Sequence, residues 1–289
     1  MSVSKGFLLF GFSLLLTACF DAPKLSVTPQ INFVNICFNP GTVAEPVESL
    51  VLTISFKDGD GDLGLSPTEI DDPYHDVFYG LASEGTVVEL AKETPYAGYP
   101  QFVKVPPGVA GKLITTRTLS DPIYANQLPP FVDEFTSCKD YRLQTIYIRE
   151  EDSHIIDNSY LDVDVLEEKG LPKIYVVRDV FYKKNNPKHD NIEVEFWVKG
   201  PGDQYTLFDW EKEYCETAFN QRFPRLAEKE EPLEGNLQYA LSSLGIKASF
   251  STQTLKLRIR IRDRAFNVSN EVETGDFTLD KISANCQLN

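Results

Sequence analysis

The sequence predicts an all-β protein, an antiparallel β-sandwich interrupted by a long, loop-rich insertion. Three observations carry this. Leu255, Leu257, Ile259 and Ile261 interleave with Lys256, Arg258, Arg260 and Arg262. That strict alternation sets one apolar face on a core and one charged face in water. Composition agrees: 13 Tyr and 19 Phe stand against a single Met, and hydrophobic residues at 42% supply a core, a balance that favours sheet over helix. Finally, short apolar runs end at Gly, Pro, Asn and Asp, and no segment holds a long helical period, which is the pattern of a sandwich.

The chain divides as follows. Residues 1–18 read as a signal peptide: Lys5 opens it, 6–16 is apolar and uncharged, and Leu16-Thr17-Ala18 precedes Cys19. Eleven apolar residues are too few to span a bilayer. Small residues before a cysteine resemble the bacterial lipobox, so Cys19 is expected to be the mature N-terminus, carrying a covalent diacylglycerol in place of the lost leader. An ordinary secretory signal is the alternative. Phe20, rather than Asp, after Cys19 favours the outer membrane by resemblance to known sorting rules. Residues 19–30 form a lipidated tether, and 31–289 the folded body.

Strands are predicted at 31–38, 50–56, 142–149, 173–181, 192–198, 237–241, 255–261 and 277–279, with short helices at 160–169 and 211–221. The insertion lies at about 70–190, rich in Pro and Tyr with Pro106-Pro107 and Pro129-Pro130. Two tandem sandwiches are the other arrangement left open. An echo between Phe131-x-x-Glu134-x-x-x-Cys138 and Phe208-x-x-Glu211-x-x-x-Cys215 hints at duplication.

The formal net charge is −15. Such a surface repels phosphates, which excludes a nucleic-acid partner and disfavours direct docking on anionic lipid, while it suits divalent cations. Beyond Cys19, the cysteines are Cys37, Cys138, Cys215 and Cys286. Export implies an oxidising compartment and two disulfides. Of the three pairings, Cys37–Cys138 with Cys215–Cys286 closes the shorter loops.

Two motifs carry chemistry. Lys57-Asp58-Gly59-Asp60-Gly61-Asp62-Leu63-Gly64 follows directly on a strand. Carboxylates at alternate positions with glycines between them are what a hard cation such as Ca²⁺ needs. Counted from Asp58, Glu69 falls where an EF-hand places its bidentate ligand, but Leu63 replaces the EF-hand glycine and Ser66-Pro67 replaces the exit helix. The motif is therefore a calcium-type loop and not an EF-hand, with a solvated acidic hairpin as the alternative. Its Gly59, Gly61 and Gly64 also fit G-x-G-x-x-G, but Asp58, Asp60 and Asp62 would repel a pyrophosphate. The second motif, Asp263-Arg264-Ala265-Phe266-Asn267-Val268-Ser269-Asn270, resembles the turn joining the last two strands of bacterial immunoglobulin-like domains. If 50–56 is the second strand and 255–261 the sixth, the two turns emerge at one end of an immunoglobulin-like sandwich. Asp263 or Asn267 then completes a cation shell begun by Asp58, Asp60 and Asp62, or Arg264 pairs with those carboxylates instead.

Catalytic constellations are poor. His75, His154 and His189 are scattered, and neither GxSxG nor a P-loop occurs. Trp197 and Trp210 are the candidate binding aromatics, able to stack on sugar or anchor a protein if exposed, with burial as the competing reading. The cations at 256, 258, 260 and 262 are expected to face acids such as Glu193 and Glu195 across the sheet.

The lipobox, the run 56–65, Phe223-Pro224-Arg225-Leu226, Glu234-Gly235 and the run 261–270 together resemble a group of Bacteroidota lipoproteins. The resemblance implies an outer-membrane location and a β-rich fold, with no activity attached. The expectation is a non-catalytic outer-membrane lipoprotein, calcium-stabilised, acting as an interaction module or accessory subunit with an outer-membrane protein partner. The alternative is a surface glycan-binding lipoprotein of a polysaccharide-uptake system.

Overall fold

The structure is a computed structural model that describes residues 25–283 apart from 43–46, 70–72, 75–76, 83, 94–101, 108–110, 119–127, 135, 158, 161, 168–169, 171, 185, 216–218 and 244. The signal peptide 1–18, Cys19 with the first part of the tether, His75 and Cys286 lie outside the described residues. In chain order the strands are β1 (Gln30–Asn39), β2 (Glu48–Asp58), β3 (Val77–Leu81), β4 (Val87–Glu93), β5 (Phe102–Lys104), β6 (Tyr141–Arg149), β7 (Asp162–Leu166), β8 (Ile174–Lys184), β9 (Ile192–Lys199), β10 (Tyr205–Leu207), β11 (Leu233–Ser243), β12 (Leu255–Ile261) and β13 (Val272–Glu273). Three short helices, α1 (Trp210–Tyr214), α2 (Ile246–Phe250) and α3 (Leu279–Ile282), interrupt the C-terminal half.

Two sheets make the sandwich. One is ordered β1-β2-β11, the other β10-β9-β12-β13, and every pairing within them is antiparallel. Counting only these strands, β2 is second and β12 sixth, as the immunoglobulin-like scheme requires. Alternation builds the core: Leu50, Leu52 and Ile54 from one sheet meet Val194, Phe196, Leu257 and Ile259 from the other, all fully buried. Each such side chain contributes about 1.5–3 kcal/mol. The outer face of β12 contributes far less. Arg258 and Arg260 lie opposite Glu195 and Glu193 in register, with ion pairs such as Arg260–Glu271 at 3.1 Å and Lys256–Glu273 at 3.2 Å. Exposed pairs of this kind are worth about 0.2–1 kcal/mol each. Arg262 departs from the row and donates to the Pro187 and Asp190 carbonyls.

The stretch expected to be loop-rich is instead a third sheet, ordered β3-β4-β5-β6-β8-β7. Because β3 pairs with β8 as well as β4, the sheet closes on itself, with β7 as a flap on β8. It encloses its own core, including Phe78, Leu90, Leu113, Ile148, Val177 and Phe181. Three further expectations are corrected. Residues 160–169 hold strand β7 rather than a helix, its polar face open to water. Residues 277–279 hold no strand: Phe277 bridges Leu255 and the chain turns into α3. The disulfide formed is Cys138–Cys215, not Cys37–Cys138 or Cys215–Cys286. Loop length does not decide this pairing; the fold-back of the insertion does, since it sets the turn before β6 beside the end of α1. Cys37 is itself disulfide-bonded. The echo between the segments around Cys138 and Cys215 thus joins two dissimilar pieces, a turn and a helix end.

The insertion leaves and re-enters the sandwich through a narrow stem. Asn186 Nδ2 donates to the Pro73 carbonyl at 2.8 Å. Arg222, in the connection between α1 and β11, caps carbonyls on both sides: Glu69 at 2.6 Å and Tyr74 at 3.2 Å on the way out, His189 on the return. A planar guanidinium offers five fixed donors, which a lysine cannot match. Replacing Arg222 with Ala strands several carbonyls in a half-buried stem. We expect Arg222→Ala to lower unfolding free energy by about 2–3 kcal/mol in urea titration, with Arg222→Lys recovering less than half. A loss below ~0.5 kcal/mol would show that water replaces the guanidinium at no cost.

Candidate metal centre at the rim

Strand alternation drives the site. Phe56 points inward, Lys57 outward, so Asp58, the last residue of β2, must point inward. Its backbone is held there because Asp58 pairs with Leu233. The carboxylate is fully buried, and among the described residues no donor meets either oxygen in full hydrogen-bond geometry, the Gly61 amide lending only a weak offset. The chain then turns through Gly59 to Gly64, and the glycines are required by crowding. At Gly61, with φ +73°, a Cβ would stand 2.0 Å from the Glu231 carbonyl oxygen; at Gly64, with φ +97°, 2.2 Å from that of Pro224. No other residue fits such closeness in a left-handed conformation.

The two turns meet as the topology demands. Leu63 bridges Asp263, and the Ala265 amide donates to Asp62 Oδ2 at 3.0 Å. Carboxylate oxygens of Asp58, Asp62 and Asp263 thereby lie within 4.8 Å of one another. Asp60 stands beside them, close enough for its charge to disfavour ionisation of Asp58, Asp62 and Asp263, and one of its oxygens is also buried without a donor. Among the described residues no lysine or arginine pairs with any of the four.

The electrostatic result follows. Burial, and then the charges of Asp60, Asp62 and Asp263, push Asp58 up to about 7; the Gly61 amide offsets this only in part. Burial and the neighbouring acids push Asp62 to about 6. Asp263 is also raised by burial, with Asn267 opposing. At neutral pH the fold holds these groups by keeping protons on them or by admitting a cation. Orphaned carboxylate oxygens with no competing ammonium or guanidinium fit a hard, oxygen-seeking ion of the Ca²⁺ type.

One predicted ligand is corrected. Glu69 turns away from the cluster: its Oε1 receives Arg225 at 2.6 Å and Arg264 at 2.9 Å, and its Oε2 the Ser66 amide at 2.6 Å. Two guanidiniums outcompete a cluster of like charges. Arg264 accordingly pairs with Glu69 and not with the Asp-rich loop. Asn267 donates its backbone amide to Asp263 Oδ1 at 2.7 Å and its side-chain amide to Oδ2 at 2.8 Å, which braces that carboxylate. The third carboxylate of the cluster is Asp263, from the turn after β12, in place of Glu69.

The binding role expected for Trp210 is also corrected. Trp210 is buried among Phe196, Phe208, Phe219 and Phe250. Trp197 is half-buried, with Arg258 4.1 Å over its ring and its indole N–H donated to Glu195 at 2.9 Å. Trp210 has no open face, and one face of Trp197 is covered by Arg258.

Residues to which sequence reasoning assigned no role frame the rim. Phe223-Pro224-Arg225-Leu226 packs on the acidic loop, the Leu65 amide donating to Phe223 O at 3.0 Å and the Leu226 amide to Leu63 O at 3.2 Å. Buried Asn191 acts as a strand neighbour to Phe223, accepting from its amide at 2.8 Å and donating to its carbonyl at 3.0 Å. Gly235 pairs with Phe56. The quoted motifs within 56–270, scattered in sequence, thus converge on this one end.

We expect Gly64→Ala to cost at least about 2 kcal/mol in chemical denaturation, from left-handed strain plus collision with backbone. A cost under ~0.5 kcal/mol would mean that the Pro224–Arg225 segment yields freely and does not fix the loop. No protein-family model matches this chain, and no curated protein or solved structure matches it, so the assignment of the rim rests on its geometry.

Proposed function

We propose that this chain is a non-catalytic, lipid-anchored outer-membrane lipoprotein, an interaction module whose sandwich is clasped at one rim by Ca²⁺. The observation that carries the cation half is the fully buried Asp58 carboxylate, which no donor among the described residues meets in full hydrogen-bond geometry and which faces Asp62 and Asp263. The anchor half is supported by Leu16-Thr17-Ala18-Cys19 behind an apolar leader. A binding rather than chemical role is supported by the surroundings of the carboxylates. The hollow beside Asp62 is about 40 Å³, room for a few waters and well short of the ~300 Å³ of a ligand pocket. The outward sheet face of the insertion is mixed, with exposed Leu143 and Leu166 and half-buried Val176 and Val180 set among exposed Arg178, Asp162 and Asp164, the composition of a partner-facing surface that is not oily.

The cation is tested by thermal unfolding of the full mature chain. Millimolar Ca²⁺ is expected to raise the melting temperature by several degrees over chelator, and Asp58→Asn or Asp60→Asn to blunt the rise; superimposable curves for the unmodified chain would remove the site. The anchor is tested by labelling cells with a radioactive fatty acid. Label is expected on the unmodified chain and none on Cys19→Ser, which would partition into the aqueous phase. Equal labelling of both would overturn the lipid assignment.

A further inference from the structure

The rim touches one more segment. Gly59, between Asp58 and Asp60, carries the chain's N-terminal stretch directly against it. A Cβ on Gly59 would stand 2.5 Å from the Leu25 carbonyl oxygen and 2.8 Å from that of Ser26. Past this crossing the only buried residue before β1 is Pro29, and Val27 is mostly exposed. The next firm hold comes from the other turn of the same rim: Asn270 accepts the Ile31 amide at 2.8 Å and donates to the Ile31 carbonyl at 2.9 Å, a side chain replacing a strand neighbour. Apart from buried Pro29 and the β1–β2 ladder that begins at Gln30↔Lys57, the contacts on these first described residues come from the two turns that carry the acids.

We infer that the cation closes a clasp on the tether, so that occupancy of the Asp58–Asp62–Asp263 rim decides whether residues 25–28 are held on the body. This rests on the cation reading above. With the ion present, the 58–62 hairpin is drawn into one shape and gives Leu25 and Ser26 a flat, side-chain-free seat at Gly59. Without it, four crowded carboxylates repel, the hairpin spreads, and the seat is lost. The consequence is a change of reach. With Cys19 in the lipid, the six residues to Leu25 span at most ~20 Å; with the clasp open, the twelve to Ile31 span at most ~40 Å. The ion then sets how far the body stands from the bilayer, and with it which partners the insertion meets.

The test is hydrogen exchange, read by mass spectrometry, on the full lipidated chain in detergent. In Ca²⁺ the amides of 25–28 should exchange at least about tenfold slower than in chelator, while those of β6 and β8 are unchanged. Leu25→Gly with Ser26→Gly, which loosens the tether backbone and touches neither the acidic loop nor any ligand, should keep the calcium-induced rise in melting temperature yet lose the slow exchange at 25–28. If Ca²⁺ raises the melting temperature while exchange at 25–28 does not move, the clasp is wrong and the site stands. If neither moves, the cation reading fails and takes the clasp with it. Slow exchange retained in full in the doubly glycine-substituted chain would also overturn the clasp.

Discussion

A strand has only two sides, and Asp58 falls on the wrong one. Its neighbours Phe56 and Lys57 take the inward and outward phases that the core requires, and pairing with Leu233 fixes the register. A slip that freed Asp58 would expose every apolar residue of β2. Several buried Leu, Ile and Phe side chains, at about 1.5–3 kcal/mol each, outweigh one orphaned carboxylate, whose desolvation costs on the order of 1–3 kcal/mol or more. The sandwich therefore forces a charge indoors, and everything at the rim answers to it. The glycines bring backbone close, Asp62 and Asp263 add their charge, and Asn267 holds Asp263 in place.

The same rim is the root of the insertion. Tyr74, on the outgoing stem, packs on Phe266 at 5.7 Å and donates its hydroxyl to the Arg264 carbonyl. Lys188, on the returning stem, lies 4.8 Å over the same Phe266 ring. Phe266 sits at φ +68°, a conformation costly for an aromatic residue and kept where surroundings overdetermine it. Glu69, turned from the acids toward Arg225 and Arg264, separates the two systems. Positive charge is drawn to the stem, and among the described residues the acidic cluster has no lysine or arginine partner.

Much of this was legible in sequence wherever one face was wet and the other dry. β2, β9 and β12 alternate cleanly, and their bounds were read within a residue or two. The meeting of the two turns followed from strand count alone. Within the insertion β6 and β8 were read to within three residues, but the closed sheet they belong to was not legible, for a physical reason. β3, β4 and β5 are short and lie among Pro and Tyr-rich loops, and a sheet closed by the β3–β8 pairing rests on contacts about a hundred residues apart in sequence. Spacing misled at Glu69, because a twelve-residue count presumes an exit helix, and Ser66-Pro67 sends the chain elsewhere. Nothing local marks Asn267 as a brace for Asp263, and nothing in the cysteine spacing foretold Cys138–Cys215. Arg222 and Asn191 had no signal at all, since capping carbonyls requires knowing which carbonyls arrive.

The rim is also the last part of the fold that can assemble. The bond from Ala265 to Asp62 joins residues 203 apart, and between them lie the whole insertion and strands β9 to β12. Loop-closure entropy grows only logarithmically, by about 0.6 kcal/mol per doubling, and a folded insertion shortens the effective loop, since its stem brings Pro73 and Asn186 within one hydrogen bond. Until β12 docks, Asp263 is far from Asp58 and no cluster exists. An ion that binds only the completed cluster adds its binding free energy to folding itself. Three of the acids, Asp58, Asp60 and Asp62, are neighbours along the chain in any state, so docking of β12 adds only Asp263 to a repulsion already present, and a proton or a cation offsets the whole.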